Sequence, residues 1–255
     1  MIKAVNLKKT YYQGKTRIEA VRGANIEIHR KESVLITGPS GAGKSTILHM
    51  LGGLDRPTAG KLFFEREDFY GLKDRARSGI RNKKIGFVFQ FYHLLPEFSV
   101  LENVMLPALM GIKNPLREKE KIRHRAEELL ESVGLSPRAR HRPSELSGGE
   151  SQRAAIARSL VNYPEVLLCD EPTGNLDSKM GGEITDCLNA LKEKHGMAII
   201  IVTHDERIHD DFDKRFRMQD GVLIELDNGR QWAGNGPREA KREKQFVENE
   251  SFFTG

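Results

Sequence analysis

Gly38-Pro39-Ser40-Gly41-Ala42-Gly43-Lys44-Ser45-Thr46 stands between two different apolar patterns. Before it runs Val34-Leu35-Ile36-Thr37, a short continuous apolar stretch that predicts a buried strand. After it Ile47, Leu48, Leu51 and Leu54 recur at helical spacing, predicting a helix over Ser45–Leu54 that ends at Gly52-Gly53 and the turn Asp55–Gly60. The stretch matches G-x-x-x-x-G-K-[ST] at every position, and strand, loop and helix are the context that this motif requires. Its glycines let the chain wrap so closely that successive backbone N–H groups face a phosphate. The helix start adds partial positive charge. Lys44 would reach the β- and γ-phosphates and Ser45 would coordinate Mg²⁺.

Upstream, Ile2–Leu7, Glu19–Val21 and Asn25–Ile28 read as strands joined by turns. Downstream, Ile85–Phe89 is a further strand, ending at Gln90. The character then turns helical. Over Arg117–Val133 the residues Ile122, Ala126, Leu129, Leu130 and Val133 share one face, and Gly134 suits the C-cap. Sheet character returns at Val166–Cys169, Met197–Val202 and Val222–Leu226. The reading is an α/β nucleotide-binding core with a helical insert at about 91–160. From Asn228 the chain is polar, with Gly229, Gly234, Gly236 and Pro237 before a mixed-charge stretch; a disordered tail and one helix starting near Pro237 stay open.

Asp170 and Glu171 follow an apolar strand, at the edge where ligands bind in parallel sheets. Asp170 would hold Mg²⁺, directly or through water, and Glu171 would be the general base for the attacking water. In Leu146-Ser147-Gly148-Gly149-Glu150, Ser147 can cap the helix that follows, while the glycines permit close approach to a phosphate.

In this order, between Gln90 and Asp170, that segment resembles the signature of ATP-binding-cassette ATPases, and residues 1–226 resemble the nucleotide-binding subunit of an ABC transporter. The resemblance implies a P-loop NTPase fold of the RecA-like kind: a mostly parallel sheet core, an N-terminal antiparallel β subdomain and an inserted α-helical subdomain. It implies an ATPase domain over residues 1–227 and a polar extension over 228–255. It further implies an ATP-sandwich homodimer, in which Ser147, Gly148 and Gly149 of one copy contact the ATP held by Gly38–Thr46 of the other. Gln90 takes the place of the Q-loop glutamine, sensing Mg²⁺ or the water and leading to the membrane partner. Asn175, Leu176 and Asp177 take that of the D-loop at the dimer seam, and His204 that of the switch histidine at the γ-phosphate. Tyr11 resembles the aromatic residue that stacks on adenine, with Tyr12 as the alternative; a flat π-face needs no hydrogen-bond register.

Phe89–Pro96, Leu101–Val104, Leu106-Pro107 and Glu171–Asp177 resemble more narrowly the lipoprotein-releasing ATPases of the LolD type and the related MacB-type exporters, with the FtsE cell-division type close behind. Glu150 stands where many relatives carry Gln. The implied partner is a separate integral membrane permease, and the implied place is the cytoplasmic face of the inner membrane.

Composition agrees with this and narrows it. The longest strongly apolar run, Met197–Val202, is far short of the roughly 20 residues of a membrane helix, so no direct membrane insertion is expected. Met1–Val5 shows no signal-peptide pattern. Cys169 and Cys187 are too few for a disulfide framework or a zinc site. A net charge of +5 over 255 residues, with no basic aromatic platform, gives no reason to expect nucleic acid. ABC ATPases of DNA repair or chromosome structure carry long inserts, but only 56 positions separate Gln90 from Leu146. Translation-type members carry two cassettes; this chain has one. A module that binds ATP without hydrolysing it fits poorly with Glu171.

Overall fold

Continuous apolar strands belong in sheets covered on both faces, and the core sheet here is of that kind. The computed structural model describes residues 1–110, 115–205 and 212–226. The expected C-terminal extension lies outside the described residues. In chain order the elements are β1 (Ile2–Gln13), β2 (Thr16–Ile28), β3 (Ser33–Thr37), α1 (Lys44–Leu51), β4 (Ala59–Phe64), β5 (Glu67–Asp68), α2 (Asp74–Lys84) and β6 (Ile85–Val88). There follow α3 (Val100–Met110), α4 (Pro115–Ser132), α5 (Gly148–Leu160), β7 (Val166–Asp170), α6 (Ser178–His195), β8 (Ala198–Thr203), β9 (Lys214–Gln219) and β10 (Val222–Leu226).

The core sheet has the order β10-β9-β3-β8-β7-β6 and is parallel except for β10, which returns antiparallel along β9. Alternation assigns its two faces. Val34, Ile36, Val166, Leu168, Ile200 and Val202 point to one side, where α1 and a four-stranded antiparallel sheet, β2-β1-β4-β5, complete the first hydrophobic cluster. Leu35, Leu167, Cys169, Ile199 and Ile201 point to the other, where they meet residues of α3, α4, α5 and α6. Cys169 is fully buried there, and burial pushes its thiol pKa up, so it behaves as a small hydrophobe. The fold is the expected P-loop NTPase arrangement.

Some local expectations shift. The two strands expected at Glu19–Val21 and Asn25–Ile28 are one, β2. A bulge in β1 spans the gap: pairing jumps from Ala4↔Ile26 to Leu7↔Ala24, with Asn6 at φ +50 opposite Gly23 at φ +116. Helix α1 stops at Leu51, short of Leu54, because the chain turns through Gly53 at φ +72. In α4 the predicted stripe is buried as expected, and Gly134 ends it at φ +70.

Candidate functional site

Four chain segments meet at the C-terminal edge of the core sheet: the loop after β3, the ends of β7 and β8, and the stretch after β6. The loop is pressed against strands behind it. A Cβ on Gly38 would lie 2.1 Å from the Met218 carbonyl oxygen of β9, and one on Gly43 would lie 2.2 Å from that of Ala20 in β2. Gly41 has open space around it, and its φ of +78 is the only demand made there. Pro39, Ser40 and Gly41 are exposed while Ala42 packs in the core. The backbone N–H of Gly221, in the β9–β10 turn, donates to the Ala42 carbonyl at 3.1 Å.

Lys44 is buried, and its ammonium donates to the carbonyls of Gly38 (2.8 Å) and Pro39 (3.1 Å), with Glu171 Oε1 at 3.5 Å. Ser45 Oγ donates to Asp170 Oδ1 at 2.8 Å, so the hydroxyl and carboxylate expected to share a cation already face each other. Two hard oxygen donors beside a phosphate loop suit Mg²⁺, which takes one or two protein oxygens and completes its shell with waters and phosphate. The other carboxylate oxygen, Oδ2, faces His49 Nε2 at 3.4 Å, one helical turn beyond Ser45.

Glu171 sits in left-handed backbone at φ +48, costly for a residue with a Cβ and a conformation that clusters at functional sites. Its N–H holds the Val202 carbonyl of β8 at 2.9 Å. Its Oε2 lies 2.8 Å from His204 Nδ1 and accepts from the His204 backbone N–H at 3.1 Å. The carboxylate therefore lies between the lysine and the histidine, largely shielded, while His204 is more than half exposed.

Gln90 and Asn175 hold each other: Gln90 Nε2 donates to Asn175 Oδ1 at 3.3 Å, and Asn175 Nδ2 donates to the Gln90 carbonyl at 2.9 Å. Two side chains of α5 grip the same region. Gln152, wholly buried, donates to the carbonyls of Pro172 (2.7 Å) and Phe89 (3.4 Å), and Arg158 to those of Tyr92 (2.7 Å) and His93 (2.5 Å). One helix thus links the chain after β6 to the turn after Glu171. Beyond Gln90, Phe91, Leu95 and Phe98 are exposed, whereas Val100, Val104 and Met105 are buried by packing of α3. Phe87, Phe89 and Met110 border a cleft of about 910 Å³ whose lining includes Arg75, Arg81, Lys83 and Arg158 and, among the described residues, no carboxylate.

Ser147, Gly148 and Gly149 start α5 at a separate place. Ser147 caps the helix: its Oγ accepts from the Glu150 N–H at 3.2 Å, and Glu150 Oε2 accepts from the Ser147 N–H at 2.8 Å. That backbone bond, with help from Ser147 Oγ and Arg138, holds the Glu150 carboxyl below its usual pKa against the opposing effect of burial. Among the described residues no hydrogen bond or ion pair joins these three to Gly38–Thr46. Gly148 and Gly149 lie near Leu176 and Met180, and Asp177 caps α6 by accepting from the Met180 N–H at 2.9 Å.

Tyr11 lies on β1 beside α1. Its hydroxyl donates to Asp55 Oδ2 at 2.5 Å, Lys9 pairs with Asp55 Oδ1, and the Lys9 ammonium lies 4.8 Å from the Tyr11 ring centroid. Burial, then the bond to Asp55, raises the Tyr11 pKa. Burial opposes ionisation of Asp55, but the bonds from Lys9 and Tyr11 outweigh it and hold its pKa low. Tyr12 is 72% exposed and has none of these contacts. Lys9, His49, Asp55, Gln152 and Arg158 carried no sequence signal, because each acts across the fold on a distant segment. For Lys9 and Asp55, 46 positions apart, only the β1–α1 packing makes the pair visible.

The ABC transporter family model matches residues 21–174. The chain belongs to that family, as an ATP-binding subunit that hydrolyses ATP. Within it, the chain is similar to the lipoprotein-releasing system ATP-binding protein LolD. It is 46% identical to that of Acinetobacter baylyi over 225 residues (88% of this chain and 97% of the relative). To that of Bdellovibrio bacteriovorus it is 48% identical over 220 residues (86% and 98%). It also matches a bacterial ABC transporter cassette solved as a dimer (TM-score 0.81, 41% identity, 89% of this chain and 99% of that one). A second dimeric structure of that cassette, in a post-hydrolysis state bound to ADP and Pi, matches with TM-score 0.82, 40% identity and coverage of 91% and 100%. Among the described residues no helix is long and apolar enough to cross a membrane.

Proposed function

We propose that two copies of this chain close on two ATP molecules and thereby drive a separate integral membrane permease, in a lipoprotein-releasing system of the LolD kind. The carrying observation is the division of the site. Lys44, Ser45, Asp170, Glu171 and His204 converge within one chain, while Ser147–Gly149 make no bond to their own phosphate loop. Such a half-site is completed by the signature of a second copy, with Asn175, Leu176 and Asp177 at the seam. The dimeric cassette to which the chain is similar supports this.

In this reading Gly38–Thr46 wrap the phosphates and Lys44 turns from the loop carbonyls to the β- and γ-phosphates. Ser45 and Asp170 would hold Mg²⁺, with Gln90 as a further ligand, and when bound it neutralises charge on the β- and γ-phosphates. Glu171 takes the proton of the attacking water, and His204, bonded to that carboxylate, holds it in place and faces the γ-phosphate. Tyr11 stacks on adenine. The chain would sit at the cytoplasmic face of the membrane through its permease alone. The exposed Phe91, Leu95 and Phe98, and the basic cleft joined to that stretch through Arg158, suit an amphipathic, acidic cytoplasmic segment of that partner.

Purifying the Glu171→Gln form from membranes in Mg-ATP tests this, since the closed dimer should persist with its partner attached. Recovery of a permease with bound lipoprotein is the expected result. A cell-division membrane partner would redirect the reading to the FtsE kind, and a ribosome or DNA-associated protein would overturn the transport reading.

A further inference from the structure

We propose that Asp55 and Lys9 set the nucleotide affinity of this ATPase by fixing the Tyr11 ring as a rigid platform for the base. The inference rests on the reading of Tyr11 as the adenine-stacking residue and adds the device that holds it. Three contacts make the device. The Tyr11 hydroxyl donates to one oxygen of Asp55, Lys9 pairs with the other, and the Lys9 ammonium also donates to the Arg56 carbonyl at 2.8 Å. The Lys9 side chain is 13% exposed and that of Asp55 28%, so the pair is shielded while the ring it serves is 40% exposed.

A part-exposed tyrosine on a strand can rotate about χ1 and χ2, and ordering such a side chain opposes binding. Tethering the hydroxyl removes that freedom before the nucleotide arrives. The ammonium over one ring face, in cation–π geometry, leaves only the other face for a base. Asp55 lies just past the end of α1, and the carbonyl of Asp55 accepts from the buried Tyr70 hydroxyl at 2.5 Å, which anchors the carboxylate-bearing residue to the core. The platform is therefore referenced to the same helix that begins with Lys44 and Ser45. Base and phosphates are held at a set separation.

The test compares Mg-ATP with Mg-tripolyphosphate, which has the phosphates but no base, on the full chain by calorimetry and by ATPase kinetics. Asp55→Ala should weaken ATP binding and raise KM roughly three- to tenfold, with kcat within about twofold of the parent. Tripolyphosphate affinity should not change. Tyr11→Phe should match it, the double variant should be no worse than either single one, and Asp55→Asn, which keeps an acceptor for the hydroxyl, should recover most of the loss. Equal weakening of ATP and tripolyphosphate, additive losses in the double variant, or an unchanged KM in Asp55→Ala would each overturn the proposal. Tyr11→Ala separates this from its premise: if it leaves ATP affinity untouched, the stacking reading fails, whereas a large loss beside an unaffected Asp55→Ala sinks only the tether.

Discussion

The phosphate loop and the signature loop are both glycine-rich helix starts, yet they are built to opposite ends. The first is wired into its own chain: Lys44 reaches two carbonyls and a carboxylate, Ser45 reaches Asp170, and the loop is packed against two strands. The second closes on its own neighbourhood, with Ser147 and Glu150 forming a capping box, Arg138 pairing with Glu150, and Ser147 exposed. A helix start needs its orphan N–H groups satisfied whether or not a ligand is present. At the phosphate loop the left-handed Gly43 occupies the cap position without any side-chain cap, so those groups are open to phosphate. At α5 the cap is filled by the chain itself, and what the loop leaves at the surface is the exposed Ser147 and the half-buried Gly148, with Gly149 buried behind them.

The largest expected effect lies on the wired side. Glu171→Gln should lower turnover by roughly 100- to 10,000-fold while ATP affinity holds, measured by steady-state hydrolysis and nucleotide binding. A variant turning over near the parent rate would remove Glu171 from the role of base. Next comes a crossed pair that sets the two loops directly against each other. Lys44→Ala should weaken ATP binding by the monomer about 30-fold, through the lost charge-assisted contacts. Ser147→Arg should cut turnover by about 100-fold yet leave monomer binding alone. If Ser147→Arg weakens monomer binding as Lys44→Ala does, the signature acts within its own chain and the contrast collapses.

The smallest effect concerns stability of the self-satisfied loop. Because the folded pKa of Glu150 is lowered, the stability it contributes is present above its unfolded pKa and lost as pH falls through the folded value. Glu150→Gln should therefore cost about 0.5–1 kcal/mol at neutral pH by thermal or denaturant unfolding. The gap should close in acid. A gap that persists below pH 3 would place the contribution in packing with Arg138 instead of charge.

Legibility followed burial and distance along the chain. Strands β3, β7 and β8 announce themselves as unbroken apolar runs because both their faces are covered. Helix α2 buries no residue and is mostly charged, so no apolar period marks it. Strand β9 shows only Phe216 and Met218 to the core. The same division holds in the site. Lys44, Ser45, Asp170, Glu171 and Ser147 stand in short local motifs. The Tyr11–Asp55 tether and the Gln152 strut between Phe89 and Pro172 join segments that no window of sequence brings together.

Gly38 and Gly43 are held by strands, independently of any ligand. A side chain at either would strike the carbonyl of Met218 or Ala20 and push a sheet off the loop, whatever the loop binds. A descendant of this chain that gave up hydrolysis could therefore drift at Lys44 or Glu171 and still keep both glycines. In comparing diverged copies, those two glycines testify to a surviving fold, whereas under the proposed function it is the lysine and the glutamate that testify to a surviving enzyme.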